Sequence, residues 1–211
     1  MTSVLLPLLI SLNLSDWQKL RFEKIKEHQL TQNGMEMKID VNSSAMPLIY
    51  PLKLATEVKR VCVEISLNGD LRLKDSSIQG QKKWDDFRFR FGLVREGNQT
   101  LSWGKKLFAA EWVKKLFSLG KEYKGIKDIL FLNLLESPEQ LGQSRKHPLS
   151  DLIEERYVWV KKPDKWQFLE YEFEQPQKVI ALWLSSDGDD TKSTFSLNIR
   201  KIELNCKSDK K

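Results

Sequence analysis

The chain has 211 residues, which is long enough for one well-buried domain and short for two. Hydrophobic residues make up 40% and charged residues 30%, as in ordinary globular proteins. The net charge is +6, but 35 basic residues are interspersed with 29 acidic ones, so we expect a mixed, solvated surface. This pattern argues against generic nucleic-acid binding.

The N-terminal segment, residues 1–15, allows two interpretations. Residues 4–14 are almost wholly apolar and resemble the hydrophobic part of a secretory signal, although no Lys or Arg precedes them and no clear cleavage site follows. A bilayer span needs about 20 apolar residues, so we predict no transmembrane segment. A signal-like segment, favoured by the change to charged sequence at Asp16, predicts a periplasmic or secreted protein. A first buried strand or a terminal helix would allow a cytoplasmic one.

From Trp17 onward the sequence predicts mainly β-strands, because apolar and polar residues alternate and aromatic and β-branched residues are enriched. The predicted strands cover residues 17–25, 35–41, 48–54, 58–67, 86–94, 129–135, 155–161, 166–173, 179–184 and 194–204. Turn signals rich in Gly, Asn, Asp and Pro separate most of them. The predicted fold is an antiparallel β-sandwich in which residues 16–206 form a single domain and residues 207–211 a charged tail.

One segment, at about residues 105–119, departs from this pattern and predicts an inserted amphipathic helix. Its polar residues share a narrow arc of the helical wheel, while apolar residues fill a much broader one. Such a helix buries most of its surface, and we expect it to pack across one end or face of the sandwich.

The two cysteines, Cys62 and Cys206, are too few for a disulfide framework or a cysteine-based zinc site. A single bridge requires their Cα atoms to lie within about 7 Å of each other. One bridge is possible if the strand that contains Cys62 and the strand before Cys206 are neighbours, but two free thiols are the default expectation.

The strand over residues 86–94 has two unlike faces, one apolar with three phenylalanines and one charged with Asp86, Arg88 and Arg90. A later strand carries three alternating glutamates, at residues 170, 172 and 174, which could pair with these arginines across strands. The charged face could simply be an ion-paired outer surface. It could also be a ligand groove, where arginines bind carboxylates or sugar hydroxyls and Tyr157 and Trp159 add stacking surfaces.

Motifs for common catalytic chemistry are missing from the sequence. His28 and His147 are the only histidines, and there is no glycine-rich phosphate loop, nucleophile elbow or Cys/His metal spacing. Paired carboxylates that could hydrolyse a glycoside remain possible. The candidates are Asp85, Asp86, Asp187, Asp189 and Asp190.

The acidic loop over residues 185–191 carries three of these carboxylates within four positions. We expect it to be a polar hairpin connection in which Asp and Thr side chains satisfy local backbone amides. A structural calcium held by Asp187, Asp189 and Asp190 is an alternative, because calcium binds several oxygen ligands and Gly188 gives the loop flexibility. A direct ligand-binding or catalytic role is a third.

Two of these motifs carry a resemblance to a known family. Lys83-Trp84-Asp85-Asp86-Phe87-Arg88-Phe89-Arg90 and Ser186-Asp187-Gly188-Asp189-Asp190-Thr191 resemble a double-aspartate strand and a late acidic loop of the bacterial family called domain of unknown function 3047. The glycine in the acidic loop and the lysine-rich helical insert depart from that family's pattern. The resemblance implies a jelly roll similar to galactose-binding-like domains and carbohydrate-binding modules, many of which carry a structural calcium.

We therefore expect a non-catalytic envelope or extracellular binding protein that recognises a glycan or another cell-surface molecule. The face bearing Asp86, Arg88, Arg90, Tyr157 and Trp159 would form the ligand site.

Two alternatives remain open. The first is a carboxylate-dependent glycan-cleaving enzyme that uses Asp86 with Asp187 or Asp189. The second is a structural subunit of an envelope complex, with an exposed apolar patch around Trp112 and Phe117. The sequence leaves the oligomeric state open.

Overall fold

The computed structural model of the protein describes residues 5–102, 109–148, 150–163 and 165–207. The strands are β1 (Leu8–Leu9), β2 (Gln18–Lys19), β3 (Gln29–Asn33), β4 (Glu36–Asn42), β5 (Leu48–Asp70), β6 (Arg90–Gln99), β7 (Ile126–Leu135), β8 (Ser144–His147), β9 (Ser150–Val160), β10 (Gln167–Ser185) and β11 (Thr194–Leu204). The α-helix α1 spans Glu111–Leu119, and short 3-10 helices occur at Leu14–Asp16, Ser76–Ile78, Gly120–Glu122 and Pro138–Gln140. The chain is mainly β, as the sequence predicts.

The strands form one hydrogen-bonded sheet that folds over itself into two layers. Its order is β3-β4-β11-β5-β10-β6-β7-β9-β8, with β1 beside β11 and β2 beside β5. The first layer contains β3, β4, β11, the second part of β5 and the first part of β10. The second layer contains the first part of β5, the second part of β10, and β6, β7, β9 and β8. All pairs are antiparallel except β7 with β9, which is parallel.

The two longest strands pass from one layer to the other. The register between β5 and β10 shifts between Glu172 and Gln177, a stretch that contains Pro176. Proline cannot donate a ladder hydrogen bond, and an irregularity of this kind lets a strand bend. The sequence predicts each of these strands as two separate ones, β5 as residues 48–54 and 58–67 and β10 as residues 166–173 and 179–184.

The main core lies between the inner faces of the two layers. Its members come from both layers and include Ile39, Val63, Phe91, Leu132 and Leu182, all at most 1% exposed. Strand side chains alternate between the two faces of a layer, so the apolar inner faces form this core. The outer face of the second layer also carries apolar side chains, which need a separate cover.

Helix α1 covers part of that outer face. Leu116 is fully buried, and Trp112 and Phe117 pack against the same cluster. The exposed apolar patch proposed around Trp112 and Phe117 is therefore wrong. The helix begins at Glu111, and residues 105–108 of the predicted helix lie in a stretch, 103–108, outside the described residues.

The N-terminal segment is built into the sandwich. Strand β1 pairs with the end of β11, and Ile10 and Leu12 are buried in the main core. Within the described ranges, no helix is long and apolar enough to cross a membrane.

Cys62 and Cys206 form a disulfide, with their Cα atoms 6.2 Å apart. The expectation of free thiols is wrong, because β5 and β11 are neighbours and Cys62 lies opposite Glu203, three positions before Cys206. The bridge fixes the C-terminal end of β11 to the centre of the sheet.

Candidate functional site

The five residues predicted to form an open ligand face are all buried. Asp86 and Arg88 are each 1% exposed, Tyr157 is 2%, Trp159 is 6% and Arg90 is 8%. They occupy three different environments, so the charged ligand groove expected from the sequence is not present at these side chains.

Arg88 is held by a buried ion pair. Its Nε and Nη2 donate to the two carboxylate oxygens of Glu136 at 2.7 and 2.8 Å, and its Nη1 donates to the Gly69 carbonyl at 2.6 Å. The paired fork to Glu136, directly after β7, and the bond to Gly69, near the end of β5, join these two elements through Arg88. Arg88 therefore connects structural elements and has no outlet to solvent.

Arg90 lies at the centre of a second buried charge cluster, on the outer face of the second layer. Its guanidinium donates to Asp85 and lies 3.6 Å from a Glu155 oxygen and 3.9 Å from an Asp187 oxygen. Its Cζ also lies 4.1 Å from the centroid of the Phe87 ring. Burial disfavours the charged guanidinium, but Asp85 and Glu155 outweigh it and raise the pKa of Arg90.

The pKa values of two carboxyl groups near Arg90 are shifted in opposite directions. Burial acts to raise the pKa of Asp85, but Arg90 and the 3.0 Å contact with His147 together hold that pKa below its usual value. Burial raises the pKa of Asp187 well above its usual value, because Arg90 offsets only part of the desolvation. His147, the last residue of β8, is thus part of this cluster.

Asp86 anchors the acidic loop. Its Oδ2 accepts hydrogen bonds from the backbone N–H and the hydroxyl of Thr191, at 2.7 and 2.6 Å. Burial raises the pKa of Asp86 by more than these bonds lower it. The glycan-cleaving alternative required Asp86 as a reacting group, and its carboxylate is enclosed by the loop instead.

The acidic loop is not a hairpin connection, which corrects the sequence prediction. It joins β10 to β11, and these strands pair with other partners, so the loop crosses from the second layer to the first. Among the described residues, no group of three or more acidic, histidine or cysteine side chains is placed to hold a metal ion. Asp187 faces Arg90, while Asp190 is exposed to solvent. Calcium binding by Asp187, Asp189 and Asp190 thus stays a prediction without an assembled ligand set.

The glutamates of β10 pair with a different arginine from the one expected. Arg60 on β5 contacts Glu170 at 3.2 Å and Glu172 at 2.6 Å, because these strands are direct neighbours. Trp159 is a core residue that packs 5.9 Å from Phe89 and donates its Nε1 to the Glu170 carbonyl. A register shift between β7 and β9 brings Tyr157 opposite Asn133 and Trp159 opposite Leu134, so the two rings enter different clusters.

An open cleft lies at the edge of the sandwich, beside the edge strand β8. It runs between the turn before β8, strand β9 and the first part of β10, and has a volume of about 540 Å³. Its polar and aromatic lining residues are Gln143, Ser144, Arg156, Tyr157, Tyr171 and Glu174. All of them except Tyr157, which is 2% exposed, are half-buried or exposed.

Tyr171 and Arg156 hold each other in place inside this cleft. Arg156 Nη1 donates to the Tyr171 hydroxyl at 3.2 Å, and its Nη2 donates to Glu154 at 3.0 Å. The Tyr171 ring meets Phe173 edge to face, with centroids 4.9 Å apart. Both side chains are therefore oriented before any ligand arrives, which lowers the entropy cost of binding.

The cleft was missed as a site because its residues are distant in sequence. The alternation along β10 places Tyr171 on the side of Leu169 and Phe173, which predicts a core residue. Tyr171 is nevertheless only half-buried and lines the cleft, which no local pattern encodes.

A second groove lies between the N-terminal segment and the turn joining β3 to β4. Leu9, Ile10, Leu12 and Met35 give it an apolar lining, with Arg200 and Lys201 beside them. None of the described residues that line it is aromatic. The edge cleft is therefore the better candidate for a polar ligand.

No family model matches the chain, and no curated protein matches it. Among solved structures, the chain is similar to a family 11 carbohydrate-binding module from Clostridium thermocellum in complex with a beta-1,3-1,4-mixed-linked tetrasaccharide. The TM-score is 0.48 at 9% identity, and the match covers 96% of each chain. It is also similar to the family 11 module of the cellulase Lic26A-Cel5E from the same organism, with a TM-score of 0.44, 8% identity and coverage of 96% and 95%. Likenesses of this size carry no information on the ligand of this chain.

Proposed function

We propose that the protein is a non-catalytic glycan-binding protein and that the edge cleft is its binding site. The observation that carries the proposal is the pair formed by Tyr171 and Arg156, one aromatic and one planar cationic side chain, fixed in an open concavity. Sugar rings have apolar faces that pack on aromatic rings, and their hydroxyl groups accept hydrogen bonds from arginine. Binding sites of this kind combine an apolar contact with a few oriented polar groups.

The remaining lining residues extend this chemistry. Gln143 and Ser144 can donate and accept hydrogen bonds, and Glu174 can accept them from hydroxyl groups. Neutral sugars need both types of partner. The cleft is open along its length, which suits part of an oligosaccharide chain better than a fully enclosed small molecule.

We also propose a periplasmic or secreted location. The Cys62–Cys206 disulfide supports this, because disulfides persist in oxidising compartments and are rare in the cytosol of most organisms. A thiol assay under denaturing, non-reducing conditions tests it. Two reactive thiols in protein purified from its native cells would contradict it.

Membership of the family called domain of unknown function 3047 remains part of the proposal. The hydrogen bonds between Asp86 and Thr191 support it, since they join the two motifs on which the resemblance rests.

A glycan array tests the proposed site. We expect the wild-type protein to bind at least one class of oligosaccharide and Tyr171→Ala to lose that signal. Phe168→Ala is the matched control, because Phe168 is an aromatic residue of the same strand with 41% exposure that does not line the cleft. Equal binding by Tyr171→Ala and the wild type would exclude the cleft, and no binding to any glycan would favour the structural-subunit alternative.

A further inference from the structure

Three polar residues form a row across the outer face of the second layer. Arg90 on β6 lies directly opposite Asn133 on β7, and Asn133 lies opposite Tyr157 on β9. Arg90 is 8% exposed, Tyr157 is 2% and Asn133 is fully buried. Tyr157 also lines the edge cleft, whereas Arg90 and Asn133 do not, and neither the glycan proposal nor the ion pairs of Arg90 account for the row.

Each member of the row has a polar atom without a hydrogen-bond partner within the described part of the chain. These atoms are Arg90 Nε, Asn133 Oδ1 and Tyr157 Oη. Buried polar groups in folded proteins are nearly always paired, with protein atoms or with an internal water. Three unpaired polar atoms on adjacent strands indicate that a common hydrogen-bond partner lies between them.

The chemistry of the three atoms is well defined. Asn133 Nδ2 donates to Glu155 Oε1 at 3.2 Å, so Asn133 Oδ1 must be the open acceptor. Arg90 Nε can only donate. A tyrosine hydroxyl can do either, and burial together with Glu155 raises the pKa of Tyr157, which keeps its proton in place.

The surrounding charges are close to balance. Arg145 contacts Glu155 at 2.8 Å, and Arg90 contacts Asp85. An anion could not donate to Asn133 Oδ1, and an ammonium group could not accept from Arg90 Nε. A neutral hydroxyl group can do both, since it carries one donor and two acceptor lone pairs.

We propose that this row is a hydroxyl-binding site, occupied by an internal water or by a hydroxyl group of a small polyol. The rim of the site gives limited access, since the side chains of Asp85 and Asp187 are 25% and 13% exposed. Gly80, with φ of +86°, packs against one side of the Tyr157 hydroxyl, because a Cβ atom there would lie 2.8 Å from Tyr157 Oη. Any occupant must therefore be small.

Unfolding of Tyr157→Phe tests whether the hydroxyl group has a partner. If the site is occupied, the substitution removes a made hydrogen bond and lowers the folding equilibrium constant about fivefold or more. Tyr123→Phe is the matched control, because the Tyr123 hydroxyl donates to the Leu52 carbonyl at 3.0 Å and its loss has the same sign. If Tyr157→Phe is instead more stable than the wild type, the buried Tyr157 hydroxyl group has no hydrogen-bond partner and the proposal is overturned.

Water-detected NMR then distinguishes the two occupants. A water site predicts cross-relaxation between a long-lived water and the Asn133 side-chain amide, unchanged when glycerol is added. A polyol site predicts that glycerol removes this signal and raises the melting temperature of the wild type more than that of Tyr157→Phe. No long-lived water and no effect of glycerol would overturn both forms of the proposal.

Discussion

The Asp86 carboxylate and Thr191 are joined by two hydrogen bonds, one from the Thr191 backbone N–H at 2.7 Å and one from its hydroxyl at 2.6 Å. Asp86 precedes β6 in the second layer, and Thr191 lies in the loop that crosses to the first layer. The bonds therefore fasten the crossing loop to the end of the sandwich. The two acidic motifs that stand out in the sequence are parts of one structural connection.

Asp86→Ala is expected to destabilise the protein by about 2–3 kcal/mol, because two buried donors of Thr191 lose their acceptor. Asp86→Asn retains one acceptor oxygen and should lose less. Urea unfolding of Asp86→Ala, Thr191→Val and the double variant measures the coupling. If the two single effects simply add, the proposed connection between the residues is wrong.

The ion pair of Arg88 and Glu136 should be costly to break and much less costly to replace as a whole. Arg88→Met leaves the Glu136 carboxylate, 14% exposed, with only the longer 3.8 Å contact to Lys161, and we expect a loss of about 3–5 kcal/mol. The double variant Arg88→Met/Glu136→Leu should recover a large part of that loss, because neither charge then remains. Denaturant midpoints report both effects, and a double variant no more stable than Arg88→Met would contradict this account.

Reduction of the Cys62–Cys206 disulfide should lower the free energy of unfolding. The bridge closes a loop with a sequence separation of 144 residues. The chain-entropy estimate for a loop of that length is about 5 kcal/mol, and measured losses are often smaller. Thermal unfolding with and without reductant measures the change, with Cys62→Ser/Cys206→Ser as the control that reductant should not affect. Equal melting temperatures in all four samples would show that the bridge does not restrict the unfolded chain.

His28 should make the protein less stable in mild acid. It is buried, its Nε2 accepts from the Met46 N–H at 3.0 Å and its Nδ1 lies 2.8 Å from the Ser44 hydroxyl. Burial lowers its pKa from 6.5 to about 4, so the folded protein binds the proton less readily than the unfolded chain.

The sign of the pH effect follows from that difference. The contribution of neutral His28 to the free energy of unfolding is fully present above about pH 6.5. It falls by about 1.4 kcal/mol per pH unit towards pH 4, which amounts to about 3 kcal/mol in all. The raised pKa values of Asp86 and Asp187 act in the opposite direction, because these carboxyls are more easily accommodated when protonated. Comparing urea unfolding of the wild type and His28→Gln from pH 7.5 to pH 4.5 isolates the histidine. Parallel pH profiles for the two proteins would contradict the assignment.

The fold could be predicted from sequence to a large extent because strand alternation is a local signal. The strand predicted at residues 194–204 matches β11, and that predicted at 35–41 lies within one residue of β4. The short strands β3 and β8 were missed, since neither has a clear apolar alternation. The continuity of β5 and β10 through their bends depends on pairing with distant strands, which local patterns do not encode.

The candidate site was harder to predict because the partner of each charge depends on the topology. Alternation correctly placed Arg90 and Phe91 on different faces of the sheet. It could not show that Asp85 and Glu155 would enclose the Arg90 guanidinium. Tyr171 was hidden for the opposite reason. It has the position of a core residue in the alternation, yet it is only half-buried and lines the cleft.

The most direct test of the proposed function is to map the bound oligosaccharide by backbone amide NMR, using a sugar identified on the glycan array. The account predicts that the largest shifts fall on residues 141–144, 156–158 and 171–174, around the edge cleft, and that Tyr171→Ala weakens binding at least tenfold. Phe168→Ala should bind like the wild type. Shifts confined to the groove around residues 9–13 and 200–201, or unchanged affinity in Tyr171→Ala, would contradict the proposal that the cleft is the glycan site.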